Sequence, residues 1–470
     1  MSLIRHVVVL GDHRSGKTTL VAALAGWPHV GCSSDRHLCQ PELHKASCVG
    51  QPWSGGTLAT VDADAEMGTT VDCRFKETSL VCHSADDSEK RRIVLIDTPG
   101  LARYAPNVIS GIGIADAAII VVSAVPEELD ETFGPNGQLS NHILYAIGFG
   151  ITRFLVAVSK MDHPTVKLSM DRFHEVRETL LHYLSDTPAA SFVQAQHVVP
   201  VSAVCTTAIN PLLDQLNELK SYGCDAVSPR KGDYDDESFI AIACRPSGTP
   251  RDPCGVMKPV RGSLAISAGE TCEASLRGRR YSCYRAGRRE MIFPEFHTTI
   301  HGQRSGHTII RCTGDAVECR GSVVPGGNPL RGVVLTSPTM VVPCIRTFRV
   351  KMKILNLPCR SLRVGFQGTI DAHTAHYACR VIAVVKISAK GEDANVMTSP
   401  MATTTMDHVV ENDDVVIDFE HYACSKFVIL YPFDELPALG RVLFRAHNCL
   451  IGFGAVLSVQ RQPLIATSAR

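Results

Sequence analysis

Residues 11–18 read Gly-Asp-His-Arg-Ser-Gly-Lys-Thr and match the pattern G-x-x-x-x-G-K-[ST]. This stretch constrains the fold more tightly than any other. It follows an apolar, β-branched run at residues 5–10 and precedes a helix-like segment at residues 18–25. A phosphate needs many donors in a small volume. A glycine-containing loop that opens a helix supplies them as backbone N–H groups. In that arrangement Lys17 reaches the β- and γ-phosphates of a nucleotide, and the Thr18 hydroxyl ligates Mg2+. Gly11, Asp12, His13, Arg14, Ser15, Gly16 and Thr19 complete the expected cradle.

The first half of the chain continues to alternate apolar runs with helical patterns. The runs fall at residues 92–96, 117–122, 154–158 and 198–201. Helix-like stretches lie at 139–147, 170–184 and 212–219. In the second of these, Phe173, Val176, Leu180, Leu181 and Leu184 keep helical spacing. Strand–helix alternation with near-continuous apolar strands predicts a mostly parallel sheet covered by helices on both faces.

Three of the runs end in residues that suit a nucleotide. The first closes on Asp97-Thr98-Pro99-Gly100. A carboxylate at a strand end can hold Mg2+ through water, and Gly100 lets a backbone N–H approach a γ-phosphate. The second closes on Ser159-Lys160-Met161-Asp162. Asp162 can accept hydrogen bonds from guanine N1–H and the 2-amino group, a donor pair that adenine lacks. Ser202 and Ala203 close the last run and complete a base pocket. GTP or GDP with Mg2+ is the expected ligand, bound at the carboxyl ends of the strands.

The pattern changes after residue 221. A polar stretch with Gly, Pro and acidic residues reads as a linker, and helical periodicity largely vanishes beyond it. Short β-rich segments at 239–243, 308–311 and 332–336, and a strand-rich region from 348 to 459, suggest two small barrels or sandwiches. The expected layout is a nucleotide domain at 1–225, a linker at 226–237, and β domains at 238–342 and 343–470.

Lys+Arg 47 against Asp+Glu 47 gives zero formal charge, which excludes a globally basic nucleic-acid binder. DNA is not an expected partner. Nor is a membrane, because no apolar run nears the roughly 18 residues a spanning helix needs. The 18 cysteines are scattered without a CxxC pair and read as reduced intracellular thiols. The first strand begins almost at Met1, which leaves no room for a presequence, so a cytoplasmic location is expected. Cys32, His37, Cys39, His44 and Cys48 fall in one segment of zinc-ligand types. Their spacing fits no standard zinc module, and a loop that merely holds thiols is the plainer reading.

Together these motifs resemble the translational GTPases, specifically the elongation factor 1-alpha / elongation factor Tu group. The resemblance runs from about residue 5 to residue 459. It includes EMGTTV at 66–71, similar to the first switch segment, NGQLSNH at 136–142 and FLVAVSKMD at 154–162. DAHTAHYACR at 371–380 and LPALGRVLFR at 436–445 are similar to the last domain of elongation factor 1-alpha. The resemblance implies a GTP-binding domain followed by two β-barrels. It implies aminoacyl-tRNA delivery, with the ribosome triggering GTP hydrolysis. It marks Thr70 as the switch threonine that meets Mg2+ and γ-phosphate, with Thr69 as the alternative. The expected metal set is then Thr18, Thr70 and Asp97, and the expected catalytic set is Lys17, Thr70 and Gly100, to which a departure from the family pattern adds His13 as a candidate. Whether a nucleotide exchange factor is also a partner stays open.

Several positions depart from the pattern the resemblance implies. Leu101 stands where the family has a histidine that positions the attacking water. His13 and Thr69 stand where the family has two apolar gate residues. Two readings follow: hydrolysis is simply weakened, or His13 reaches the water past Leu101. Arg14 replaces an aspartate and either adds positive charge beside the phosphates or points into solvent. Ser159 replaces an asparagine, which predicts weaker nucleotide binding. Pro106-Asn107 aligns with the Lys-Asn near the tRNA 5′ end, so a lysine is missing there. With no basic tail, RNA affinity is expected to be weak unless residues 277–289, rich in Arg with Tyr281 and Tyr284, compensate. The leading expectation is a slow GTPase acting with tRNA or another RNA on the ribosome. The alternatives are a GTP-loaded switch protein with little turnover, and a release or ribosome-rescue GTPase.

Overall fold

The computed structural model describes residues 5–26, 69–81, 90–185, 187–204, 209–218, 240–246, 254–261, 282–285, 309–313, 316–320, 333–336, 345–357, 362–386, 409–422, 428–446 and 449–461. The 32–48 cysteine–histidine segment, the 226–237 linker and the chain end lie outside them. So does the 277–289 stretch apart from residues 282–285.

The first unit is built on six strands: β1 (Arg5–Gly11), β2 (Arg74–Val81), β3 (Lys90–Asp97), β4 (Ala117–Ser123), β5 (Phe154–Ser159) and β6 (Val198–Pro200). Their order is β2-β3-β1-β4-β5-β6. Five run parallel, and β2 pairs antiparallel to β3 at the edge. Side-chain alternation sorts each strand onto two cores. Val7 and Val9 pack with Leu20 and Leu24 of α1 (Lys17–Gly26) and Leu212 of α6 (Asn210–Glu218). Val8 and Leu10 face the other way. They join α2 (Ala105–Ile112), α4 (Leu139–Gly148) and α5 (Met170–Ser185), while α3 (Pro126–Phe133) follows β4. Burial on both faces explains why β1 and β4 read as unbroken apolar runs.

The polar sequence RFKETSLV gave no strand signal, yet it forms β2. As an edge strand it needs fewer apolar residues than the interior ones. The short helices α2 and α3 were likewise missed. Each has eight residues, too few for a helical period to stand out.

The middle unit has six strands: β7 (Ile240–Pro246), β8 (Cys254–Arg261), β9 (Ser282–Arg285), β10 (Ile309–Thr313), β11 (Ala316–Arg320) and β12 (Val333–Thr336). They pair antiparallel in the order β10-β11-β8-β7-β12-β9. The last unit is a closed barrel of β13 (Ile345–Ile354), β14 (Gln367–Ala372), β15 (Ala375–Lys386), β16 (Asp414–His421), β17 (Arg441–Ala446) and β18 (Cys449–Arg461). Its core holds Phe348, Phe419 and Phe444, with ring centroids 5.6 and 4.9 Å apart in successive pairs. Cys73, Cys379 and Cys449 carry free thiols. Among the described residues no helix is long and apolar enough to cross a membrane.

The barrel packs directly on the first unit. Tyr431, Leu436, Leu439, Leu443 and Leu450 share a core with Ile143 and Leu144 of α4. A polar line crosses the same boundary. Ser110 Oγ of α2 lies 3.3 Å from His376 Nε2, and His376 Nδ1 lies 2.6 Å from Asp371 Oδ1. Arg445 closes the line with a fork onto both Asp371 oxygens. Burial opposes the charge on Asp371, but the hydrogen bonds from Arg445 and His376 outweigh it and hold its pKa below the ordinary value. Its stabilising contribution is therefore complete above the unfolded pKa of about 3.9 and is lost only as acid titrates the folded carboxylate below that. Asp371→Ala leaves Arg445 buried without its carboxylate. The expected cost is about 3–5 kcal/mol, read as a lower midpoint of chemical unfolding at pH 7.

Candidate nucleotide and metal site

The carboxyl ends of β1, β3, β5 and β6 converge on the phosphate loop. Gly11 ends β1 at φ +148°, and an added Cβ there would lie 2.4 Å from the Val121 carbonyl. The loop turns through Arg14 at φ 60° and delivers Lys17 to the start of α1. Lys17 Nζ donates to the Asp12 carbonyl at 2.5 Å and lies 3.4 Å from Ser15 Oγ. Only 6 % of the residue is exposed, and burial brings its pKa down to about 8. The Asp12 carboxylate accepts from the His13 amide at 2.6 Å and the Gln138 amide at 2.8 Å, which ties the loop to the start of α4. Burial raises the Asp12 pKa despite these donors. Arg14 and Thr19 are exposed.

Residues 97–100 lie across the loop. An added Cβ on Gly100 would sit 2.6 Å from the His13 nitrogen and 2.7 Å from the Asp12 carbonyl oxygen. Only glycine permits that approach. Thr98 Oγ1 donates to the Val9 carbonyl at 2.6 Å and fixes the segment to β1. Leu101, half-buried, leads into the short turn Ala102–Tyr104 ahead of α2.

Three oxygen-bearing side chains meet where a metal was expected. Thr18 Oγ1 donates to Asp97 Oδ2 at 2.8 Å and lies 3.1 Å from Thr70 Oγ1. Asp97 is fully buried and its Oδ1 makes no hydrogen bond. Burial raises its pKa, while Thr18, Lys17 and Arg74 favour the anion. An unpaired buried carboxylate oxygen beside two hydroxyls suits a small hard cation such as Mg2+, which takes all-oxygen ligands. Beside this cluster, Thr69 Oγ1 lies 3.3 Å from His13 Nδ1. Both threonines of the pair at 69–70 therefore touch the loop, each at a different point.

The base side is equally specific. Ser159 is buried and its hydroxyl donates to the Ser15 carbonyl at 2.6 Å, with the Val122 carbonyl at 3.3 Å. The shorter side chain thus ties β5 to the phosphate loop, a role the sequence did not reveal. Lys160, at φ 58°, sends Nζ to both oxygens of Glu128 at 2.6 and 2.7 Å, and Ser123 Oγ donates to the same carboxylate at 2.5 Å. Ser202 Oγ, buried, donates to Asp162 Oδ1 at 2.5 Å. That orients the exposed Asp162 and leaves Oδ2 for a ligand. Ala203 follows, half-buried.

Sequence reasoning missed Glu128, Ser123, Gln138 and His142. Glu128 sits in an acidic helix start that reads as a solvated face. His142 is buried under the loop and hydrogen-bonds Gly11, and burial with the nearby Lys17 charge lowers its pKa to about 3, which keeps it neutral. Asn107 donates Nδ2 to the Val71 carbonyl at 2.6 Å. It holds the segment that carries Thr69 and Thr70.

Comparison with known proteins agrees with this geometry. Residues 2–221 match the family described as Elongation factor Tu GTP binding domain. Elongation factor 1-alpha of Thermofilum pendens is 23 % identical over 461 residues, covering 97 % of this chain and 97 % of that protein. The eukaryotic peptide chain release factor GTP-binding subunit of Zygosaccharomyces rouxii is 24 % identical over 461 residues, covering 96 % of this chain and 64 % of that protein. Among solved structures, the GTPase-like domain of Ski7 from S. cerevisiae, bound to GTP, superposes with a TM-score of 0.61 at 14 % identity, covering 97 % of both chains. Residues 2–221 are thus a GTP-binding domain of the elongation factor Tu type, and the chain is similar to elongation factor 1-alpha along nearly its whole length.

Proposed function

We propose that this protein binds GTP with Mg2+ and couples its hydrolysis to GDP and phosphate to delivery of an aminoacyl-tRNA, or a tRNA-like ligand, to the ribosome in the cytoplasm. The observation that carries the reading is the meeting of Thr18, Thr70 and Asp97 beside Lys17, at the foot of a loop clamped by Gly100. In this reading, the amides of residues 11–19 that the loop itself leaves free cradle the phosphates, Lys17 neutralises the β- and γ-phosphates, and the Gly100 amide contacts the γ-phosphate. Thr18, Thr70 and Asp97 would hold Mg2+, which supplies charge neutralisation on the phosphates. Asp162, set by Ser202, reads guanine, while Lys160, Ser159 and Ala203 shape the base pocket. Similarity to elongation factor 1-alpha along 97 % of the chain supports the ribosomal half of the proposal.

A second reading rests on Leu101. Its side chain cannot hydrogen-bond a water, and the Ski7 domain similar to this chain was solved with GTP bound. A GTP-loaded switch with negligible turnover, or a release or rescue factor, would use the same nucleotide site. In the leading reading, turnover without ribosomes is slow.

Two measurements test the proposal. GTP turnover by the purified full chain is expected to rise at least about tenfold, or about 1.4 kcal/mol of barrier, when ribosomes are added. Turnover absent in both conditions would favour the switch reading. Asp162→Ala removes the carboxylate that pairs with guanine. It is expected to weaken GTP binding by about ten- to a hundredfold, equivalent to about 1.5–3 kcal/mol for a charged hydrogen bond, and to leave any affinity for ATP unchanged. Fluorescent-nucleotide titrations would read both.

A further inference from the structure

Hydrolysis of a phosphoanhydride needs a group that fixes a water in line with the γ-phosphate. Among the described residues around the Thr18–Thr70–Asp97 cluster, few side chains are free to do so. Lys17 and Arg14 are cations with no lone pair to offer. Thr18, Thr70 and Asp97 are engaged with one another. Gly100 has no side chain, and Leu101 has no polar atom. His13 remains. Its backbone nitrogen lies under Gly100, and its ring Nδ1 lies 3.3 Å from Thr69 Oγ1, one residue from Thr70. The imidazole is therefore held between the phosphate loop and the threonine segment, next to where the γ-phosphate would lie.

We propose that His13 is the water-orienting residue of this GTPase and that Thr69 sets its ring; the inference rests on the hydrolytic reading of the site. Nδ1–H donates to Thr69 Oγ1, which leaves the Nε2 lone pair to accept a hydrogen bond from water. The water oxygen bonds to the γ-phosphorus as the bond to the bridging oxygen breaks, and that electron pair leaves on GDP. The water proton ends on the released phosphate, so His13 gains no net proton.

The surrounding charges suit this role. His13 faces Arg14 and Lys17 of its own loop, Asp12 beside it and Glu131 of α3. Burial, then Arg14 and Lys17, lower its pKa below 6.5 against the pull of the two carboxylates. The ring is neutral at pH 7 and becomes a cation only as pH falls through that lowered value. Once protonated, it has no lone pair for water.

The test compares wild type, His13→Ala, His13→Gln and Thr69→Val in the full chain, loaded with GTP and Mg2+. Single-turnover hydrolysis is followed between pH 5 and 8, and GTP and GDP affinities are measured by fluorescent-nucleotide titration. His13→Ala is expected to slow hydrolysis at least about tenfold, with affinities within about twofold of wild type. Glutamine, which can also accept from water, is expected to restore part of the rate. The wild-type rate falls on the acid side of pH 6.5, and that limb is absent in His13→Gln. Thr69→Val slows hydrolysis while leaving affinity unchanged. A His13→Ala protein that matches wild type in rate and pH profile overturns the inference and leaves the hydrolytic reading standing. A wild type that binds GTP tightly but never hydrolyses it, with or without ribosomes, overturns both.

Discussion

The close passage of residues 97–100 over the phosphate loop is the constraint on which the rest of the site depends. Backbone meets backbone there at distances no Cβ would tolerate. Two further ties hold the loop from its other sides: the Gln138 amide on Asp12, and the Ser159 hydroxyl on the Ser15 carbonyl. A loop held at three points keeps its amides convergent, so little reorganisation is needed when an anion arrives. It also makes a buried lysine tolerable. Lys17 is out of water, but the Asp12 carbonyl accepts its proton and Asp97 and Asp12 attract its charge.

The same constraint reaches beyond the nucleotide site. Residues 97–101 run through one short turn into α2, so the position of Gly100 sets the start of that helix. On one side Asn107 grips the Val71 carbonyl, and Cys73 Sγ donates to the Asn107 carbonyl at 3.0 Å. On the other, Ser110 meets His376 of the barrel. One helix thus touches the segment carrying Thr69 and Thr70, the loop-covering segment and the last domain. Its hydrogen bonds are to groups 36 and 266 residues away in sequence, and neither set can shift without disturbing the other. The helix is thus a contiguous link between the two regions.

What the sequence revealed and what it hid separate along a physical line. The parallel strands were legible because both faces are buried, so Val7, Val8, Val9 and Leu10 had to be apolar in succession. The meeting of the strand-end residues was legible because the ligands they are proposed to bind each demand a particular residue type at a particular spacing. The edge strand β2 and the eight-residue helices left too weak a pattern. The supporting partners left none. Ser159 bonds a carbonyl 144 residues away, and Gln138 reaches Asp12 across 126 residues. Such pairings depend on the folded geometry and have no local signature. Asn107 is the instructive case. Nothing in its residue type or neighbours announces the bond it makes to the Val71 carbonyl, 36 residues away.

The departures at residues 13, 69, 101 and 159 bear on whether the site is maintained or decaying. A site losing its chemistry by independent substitutions would leave polar atoms stranded in a buried setting, where each unpaired group costs about 1–3 kcal/mol. Here the substituted polar residues find partners. His13 meets Thr69, and Ser159 meets both the Ser15 and the Val122 carbonyls. The position that became apolar, Leu101, is half-buried at the start of a turn where no hydrogen bond is required of its side chain. His13 and Ser159 are thus both hydrogen-bonded, while Asp97 Oδ1 beside them makes no hydrogen bond. Under the proposed function, such pairing is what a working nucleotide site would need around Lys17, Thr70 and Asp97.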